Sequence, residues 1–167
     1  LAPALIALDG VATIRGADGR SRDVALAEFY RIPQDESEHE NVLKPDDILT
    51  QVTVPLQGFK SATYEVKNRQ CVDWPLAEAV VAFRMDGDAA RDVRVVLGHV
   101  APVPWPAPKA AQALEGQAIT DEAAAKAGEA AADGATPLSM NAYKVQLVKT
   151  AVKRAALAAA GRPVPEI

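Results

Sequence analysis

Apolar and polar positions alternate with a strand-like period through the first hundred residues, then recur at helical spacing. Val11-Ala12-Thr13-Ile14 alternates as a strand, Ala17-Asp18-Gly19-Arg20 carries a hairpin signal, and Ser21 to Ala25 is the predicted return strand. Ahead of them Ala2 to Leu8, with Pro3 early, predicts one or two helical turns that Asp9-Gly10 ends. Ala27 to Tyr30 predicts a short helical turn carrying two aromatics. Ile48 to Val54 is rich in β-branched residues, alternates, and is stopped by Pro55, so it predicts a strand. Ser61 to Val66 predicts another. Leu76 to Arg84 is the longest apolar run and predicts a central strand, and Ala90 to Leu97 the next, across an Asp86-Gly87-Asp88 turn.

From Pro102 the pattern changes. PVPWPAP excludes a helix or a central strand and predicts an extended connector. Three helices follow: Lys109 to Leu114, ended by Gly116; Asp121 to Ala132, capped by Thr120; and Met140 to Ala160, with Asn141 as its cap and Gly161-Arg162-Pro163 as its stop. Val145, Val148, Val152, Ala155 and Ala159 line one face of the last. Strands followed by helices predict an α+β fold: an initial β region, a three-stranded antiparallel sheet and a three-helix bundle.

Composition narrows the chemistry. A net charge of -4, with no Lys/Arg-rich block, argues against a nucleic-acid surface. No apolar run reaches the length of a membrane span and nothing resembles a signal peptide, so no membrane partner is expected. The cytoplasm is the expected compartment, with the periplasm as the alternative. The single cysteine, Cys71, cannot form an intrachain disulfide or build a cysteine-ligated metal centre within this chain. His39 and His99 are far apart, and the acidic Gln34 to Glu40 segment predicts a solvated loop. No phosphate-binding, dinucleotide-binding or zinc-protease motif is present. The chain begins with Leu1, and LAPALIALDG reads as the middle of a domain; a longer parent polypeptide is expected.

The most peculiar stretch is VKNRQCVDWPLAEAVVAF, from Val66 to Phe83. A charged, kinked entry stands directly ahead of a buried strand. Lys67 is either an ordinary surface lysine or a cation aimed at an electron-rich ring. Asp73, just before Trp74-Pro75, reads as a turn residue accepting backbone N–H groups. Trp74 is a core anchor or a stacking platform, and Cys71 a small buried residue or a reactive thiol.

The order of these segments resembles the FAD-binding (medium) flavoprotein subunit of the xanthine dehydrogenase, carbon monoxide dehydrogenase and aldehyde oxidoreductase family of molybdenum hydroxylases. The resemblance rests on LAPALIALDG, VALAEFY, VLKPDDILTQVTVP, the Y-x-x-K-x-R-x-x-x-DWPLAEAVVAF run from Tyr64, VRVVLGHVAPVPW and the helix Ala142 to Leu157. The DWPLA form is most similar to aldehyde-oxidising bacterial members.

What this resemblance implies is specific. Residues 1–55 would be the end of an FAD-binding domain and residues 56–167 the flavoprotein C-terminal domain, its sheet over 61–98 and its helices over 109–160. Ile48 and Leu49 would pack against the isoalloxazine ring, and Lys67 would sit at the ring's polar edge. Asp73 would help shape the pocket floor, and Ala2 would lie near the ribityl chain. The implied partners are a molybdopterin-binding large subunit, a small subunit with [2Fe-2S] clusters, and the N-terminal half of the flavin domain. This sequence departs from the family in one respect. It contains no Gly-Gly pair and no glycine-rich phosphate loop, so it would hold at most half of the flavin site. It also lacks the cysteine-ligated [4Fe-4S] insertion of some relatives. The competing reading is a subunit-assembly module that binds no cofactor by itself.

Overall fold

A computed structural model describes residues 1–55, 58–69 and 72–164. Helix α1, Ala2–Ala7, carries Pro3 in its first turn, where the missing N–H costs nothing. Strands β1, Val11–Arg15, and β2, Ser21–Ala25, form the expected hairpin, and Gly19 supplies the positive φ of its turn. A four-residue helix, α2 (Leu26–Phe29), buries Phe29 and sets its ring edge-on to Tyr30. Strand β3, Ile48–Thr53, pairs antiparallel with β1 to complete a sheet ordered β2-β1-β3. The acidic segment between α2 and β3 is solvated, as its composition predicts.

The second sheet has one strand more than expected. Strands β4 (Lys60–Val66), β5 (Ala77–Asp86) and β6 (Ala89–Gly98) form the antiparallel core, and β7, Trp105–Pro106, adds a two-residue edge. The proline-rich connector is therefore extended but not free. Trp105 pairs with Leu97 and Pro106 with Val96. An edge position tolerates proline because no further strand needs its missing donor.

Helices α3 (Pro108–Leu114), α4 (Asp121–Ala131) and α5 (Tyr143–Ala159) follow. Thr120 caps α4, its hydroxyl accepting from the Ala123 N–H at 3.1 Å. Asn141 does not cap α5. Its Oδ1 accepts from the Leu138 N–H at 2.7 Å, which closes the preceding turn, and α5 starts two residues later.

The second sheet is the middle layer. Along β5, Ala77, Ala79, Val81 and Phe83 face the helices and join a core with Leu114, Val152 and Ala155. The alternate residues Val80 and Ala82, with Val96 of β6, join Ile6, Ala12, Ile14, Leu26 and Phe29 on the other side. That explains why β5 reads as an unbroken apolar run: a strand covered on both faces has no solvent side to keep polar. Full burial of a residue such as Val81 or Phe83 contributes about 1.5–3 kcal/mol. The small-residue helices pack closely. A Cβ at Gly128 of α4 would lie 2.5 Å from the Lys149 carbonyl of α5.

Candidate functional site

Strand β3 contrasts with β5. It lies at the edge of its sheet, bonded among the described residues to β1 alone, and all six of its residues are exposed. Ile48 is 65% exposed, Leu49 40% and Val52 37%. The register explains how neighbouring apolar residues share that fate. Thr13 pairs with Gln51 while Ile14 pairs with Leu49, so Thr50 is an extra residue, and its hydroxyl donates to the Thr13 carbonyl at 3.0 Å. Such a bulge twists the strand and re-aims the side chains beside it. The strand's entry is pinned by Arg22, whose Nη2 lies 2.7 Å from Asp47. Hydrogen bonds from Arg22 and from the Lys44 N–H hold the Asp47 carboxyl at about 2, below its ordinary 3.8.

The connection from β4 to β5 is closed at its base by the Leu76 N–H donating to the Val66 carbonyl at 2.8 Å. Lys67 is half-buried, and its Nζ lies 2.5 Å from Glu65. Asp73 accepts from the Trp74 N–H at 3.0 Å and faces Arg69 at 3.7 Å, which is the turn-forming reading of that residue. Trp74 is not a core anchor: it is 81% exposed, and Val72 beside it is fully exposed. Cys71 lies outside the described residues.

The sequence-predicted site residues thus sit in three places. Ile48 and Leu49 are on the edge of the first sheet, Lys67 and Asp73 are in the β4–β5 connection, and Ala2 is half-buried in the first turn of α1. The ion pairs of Lys67 and Asp73 stay within their own segment.

Two residues escaped the sequence reading. Glu78 is 3% exposed on the β5 face it shares with Val80 and Ala82. His99, just past β6, brings Nε2 to 3.5 Å from that carboxylate. A lone Glu inside an apolar strand was the available signal. Toward the other end of β5, Phe59 is sandwiched between the guanidinium groups of Arg84 and Arg94, each 4.6 Å from its ring centroid. Arg94 also pairs with Asp9 at 2.7 Å, tying the end of α1 to β6.

Comparison with known proteins places this architecture. The family described as CO dehydrogenase flavoprotein C-terminal domain matches residues 62–159, more than half of the chain. The aldehyde oxidoreductase FAD-binding subunit of Escherichia coli (strain K12) is 31% identical over 152 residues, covering 89% of this chain and 44% of that protein. The carbon monoxide dehydrogenase medium chain of Hydrogenophaga pseudoflava is 30% identical over 168 residues, covering 96% and 56%. The chain spans about half the length of these curated relatives. Among solved structures, the Hydrogenophaga pseudoflava carbon monoxide dehydrogenase that lacks the Mo-pyranopterin moiety superimposes with a TM-score of 0.82 at 29% identity, over 97% of this chain and 56% of that one. The sheet layered between helices and an N-terminal β unit is therefore a family architecture, and the chain belongs to the CO dehydrogenase flavoprotein C-terminal domain family.

Proposed function

We propose that this chain supplies the ring-side half of an FAD site in the electron-transfer flavoprotein subunit of a molybdenum hydroxylase. The observation that carries the reading is the bulged edge strand β3, which presents Ile48 and Leu49 to solvent in a chain of a flavoprotein family. A long exposed apolar edge is a liability unless something covers it. The residues present fit the ring portion of such a group: two consecutive aliphatic side chains on β3 and, in the separate β4–β5 connection, a half-buried lysine. They do not fit a diphosphate, since the chain has no glycine pair to bring backbone N–H groups around one.

In this reading Ile48 and Leu49 cover the isoalloxazine ring and exclude water from it. Lys67 places positive charge at the ring's polar edge, tempered by Glu65, and Asp73 fixes the turn behind it. Ala2 borders the ribityl chain. Bound FAD would supply the redox chemistry between [2Fe-2S] clusters and an external acceptor. The phosphate loops belong to the N-terminal half of the flavin domain, whose C-terminal end is residues 1–55; residues 56–167 form the domain that follows. The remaining partners are a molybdopterin-binding large subunit, which chooses the substrate, and a small iron–sulfur subunit. The 167-residue chain alone is inactive.

The test is an absorption spectrum of the natively purified complex, with the intact mass of every chain in it. A flavin spectrum and a companion segment with glycine-rich loops are expected; an assembled complex without flavin overturns the reading. Lys67→Ala should then lower the flavin reduction potential and Glu65→Gln should raise it, with assembly unchanged in both.

A second reading, a cofactor-free assembly module, is favoured by the exposed Leu138, Met140 and Tyr143 ahead of and within the first turn of α5. It predicts that neither substitution changes the flavin and that polar substitutions at those three positions disrupt the complex.

A further inference from the structure

Trp74, in the β4–β5 connection, meets a residue from outside that connection. His99 adopts φ +62°, a left-handed conformation that non-glycine residues enter at a cost and that persists only where surroundings impose it. Three contacts do so. Its Nε2 faces the buried carboxylate of Glu78 at 3.5 Å. Its ring lies under the exposed Trp74 indole, centroids 5.9 Å apart at a 58° tilt. Its carbonyl accepts from Lys144 Nζ of α5 at 2.9 Å.

The space for Glu78 is also built. Gly98 is its cross-strand partner, and a Cβ at Gly98 would lie 2.5 Å from Glu78 Oε2. A carboxylate buried in a sheet face is costly unless it meets a partner, and the His99 imidazole is the one its side chain meets among the described residues. A strained backbone, a glycine-lined cradle and a tilted indole contact therefore converge on one imidazole.

We propose that Glu78 and His99 are positioning residues that hold Trp74, and through it the Lys67–Pro75 connection, in a proton-dependent way. With His99 protonated, the imidazolium is attracted by the Glu78 carboxylate and by the adjoining indole ring. With His99 neutral, both attractions weaken and Trp74 loosens. Histidine changes charge between pH 5 and 8, so the hold is strongest at the acid end of that range. The charged groups around His99 are Glu78 on β5, Lys144 on α5, and the Arg69–Asp73 pair in the segment that carries Trp74. This deepens the flavin reading of Lys67, but the first test does not use the flavin.

The experiment follows Trp74 emission and its anisotropy from pH 5 to 8 in the full chain carrying Trp105→Phe, so that a single indole reports. The expected result is a reversible step, with anisotropy higher at acid pH. His99→Asn tolerates the left-handed backbone but cannot titrate, and it should abolish the step while the fold, followed by circular dichroism, is kept. Glu78→Gln should reduce the anisotropy at acid pH. A flat profile in the parent chain, or the same step in His99→Asn, overturns the proposal. In the reconstituted complex the flavin potential should lose part of its pH dependence in His99→Asn. If Trp74 titrates as expected but the flavin does not respond, the brace stands and its link to the flavin site fails.

Discussion

Strands β5 and β3 are both legible as strands and meet opposite fates. β5 opens as a nearly continuous apolar run, and β3 is a shorter, β-branched one that mixes apolar and polar residues. β5 buries its first seven residues, while β3 buries none. β5 lies in the middle layer, with helices on one face and α1 and the first sheet on the other. β3 lies at an edge beside a bulge. Hydrophobic period identifies a strand, but it does not say what covers it. In β5 the cover is in this chain. For β3 the proposed cover is a flavin and the rest of its domain.

The most forceful way to break the contrast is to damage β5. Phe83 is fully buried against the helices, so Phe83→Ala should lower stability by about 3–5 kcal/mol, read as a drop in the urea midpoint with the slope unchanged. A loss below about 1 kcal/mol would mean that the layer is not the core the packing indicates. Next in size is the helical cover itself. Gly128→Ala pushes a methyl onto the Lys149 backbone and should cost about 1–3 kcal/mol, despite the better helix propensity of alanine. A stabilised Gly128→Ala would show that α4 and α5 can part without penalty.

Much of this fold was legible because local signals agreed with one another. The hairpin turn with Gly19, the Thr120 cap and the helical repeat of α5 are each set by residues a few positions apart. What was not legible depends on distant partners. β7 exists because Leu97 lies alongside Trp105, and nothing within PVPWPAP says so. Asn141 had the composition of a cap, but the Leu138 N–H claimed its side chain first. Trp74 reads from the sequence as either a core anchor or a stacking platform, and only its exposure in the fold excludes the anchor. Glu78 was visible as a carboxylate in an apolar run, yet its partner His99 is 21 positions away, and only strand pairing brings them together.

A smaller effect separates the regions by acid. Asp47 titrates at about 2 when folded against 3.8 ordinarily, chiefly because Arg22 bonds to it. The unfolded chain therefore binds a proton there more readily than the folded one. The stabilising contribution is present above about pH 4 and is lost as the pH falls toward 2. Hydrogen exchange at pH 6, 4 and 2.5 should show β3 and β2 losing protection before β5 does. Asp47→Asn should remove that order. If β5 opens first in the parent chain, the two sheets are not held by the different means described.

The smallest effect on stability is the most informative about function. Ile48 is already 65% in water, so Ile48→Ser removes little burial and should change stability by no more than about 0.5 kcal/mol. Its neighbour Leu49 is less exposed and pairs with Ile14, so Leu49→Ser should cost somewhat more. If β3 is surface only, neither change matters further. If Ile48 covers a flavin ring, Ile48→Ser should weaken FAD retention in the reconstituted complex by roughly tenfold, the equivalent of about 1.4 kcal/mol. A side chain worth nothing to the fold and an order of magnitude to the ligand has its partner outside the chain. Equal FAD retention in Ile48→Ser and the parent would instead leave β3 as an assembly edge, with the Lys67 connection as the only ring-side element still to defend.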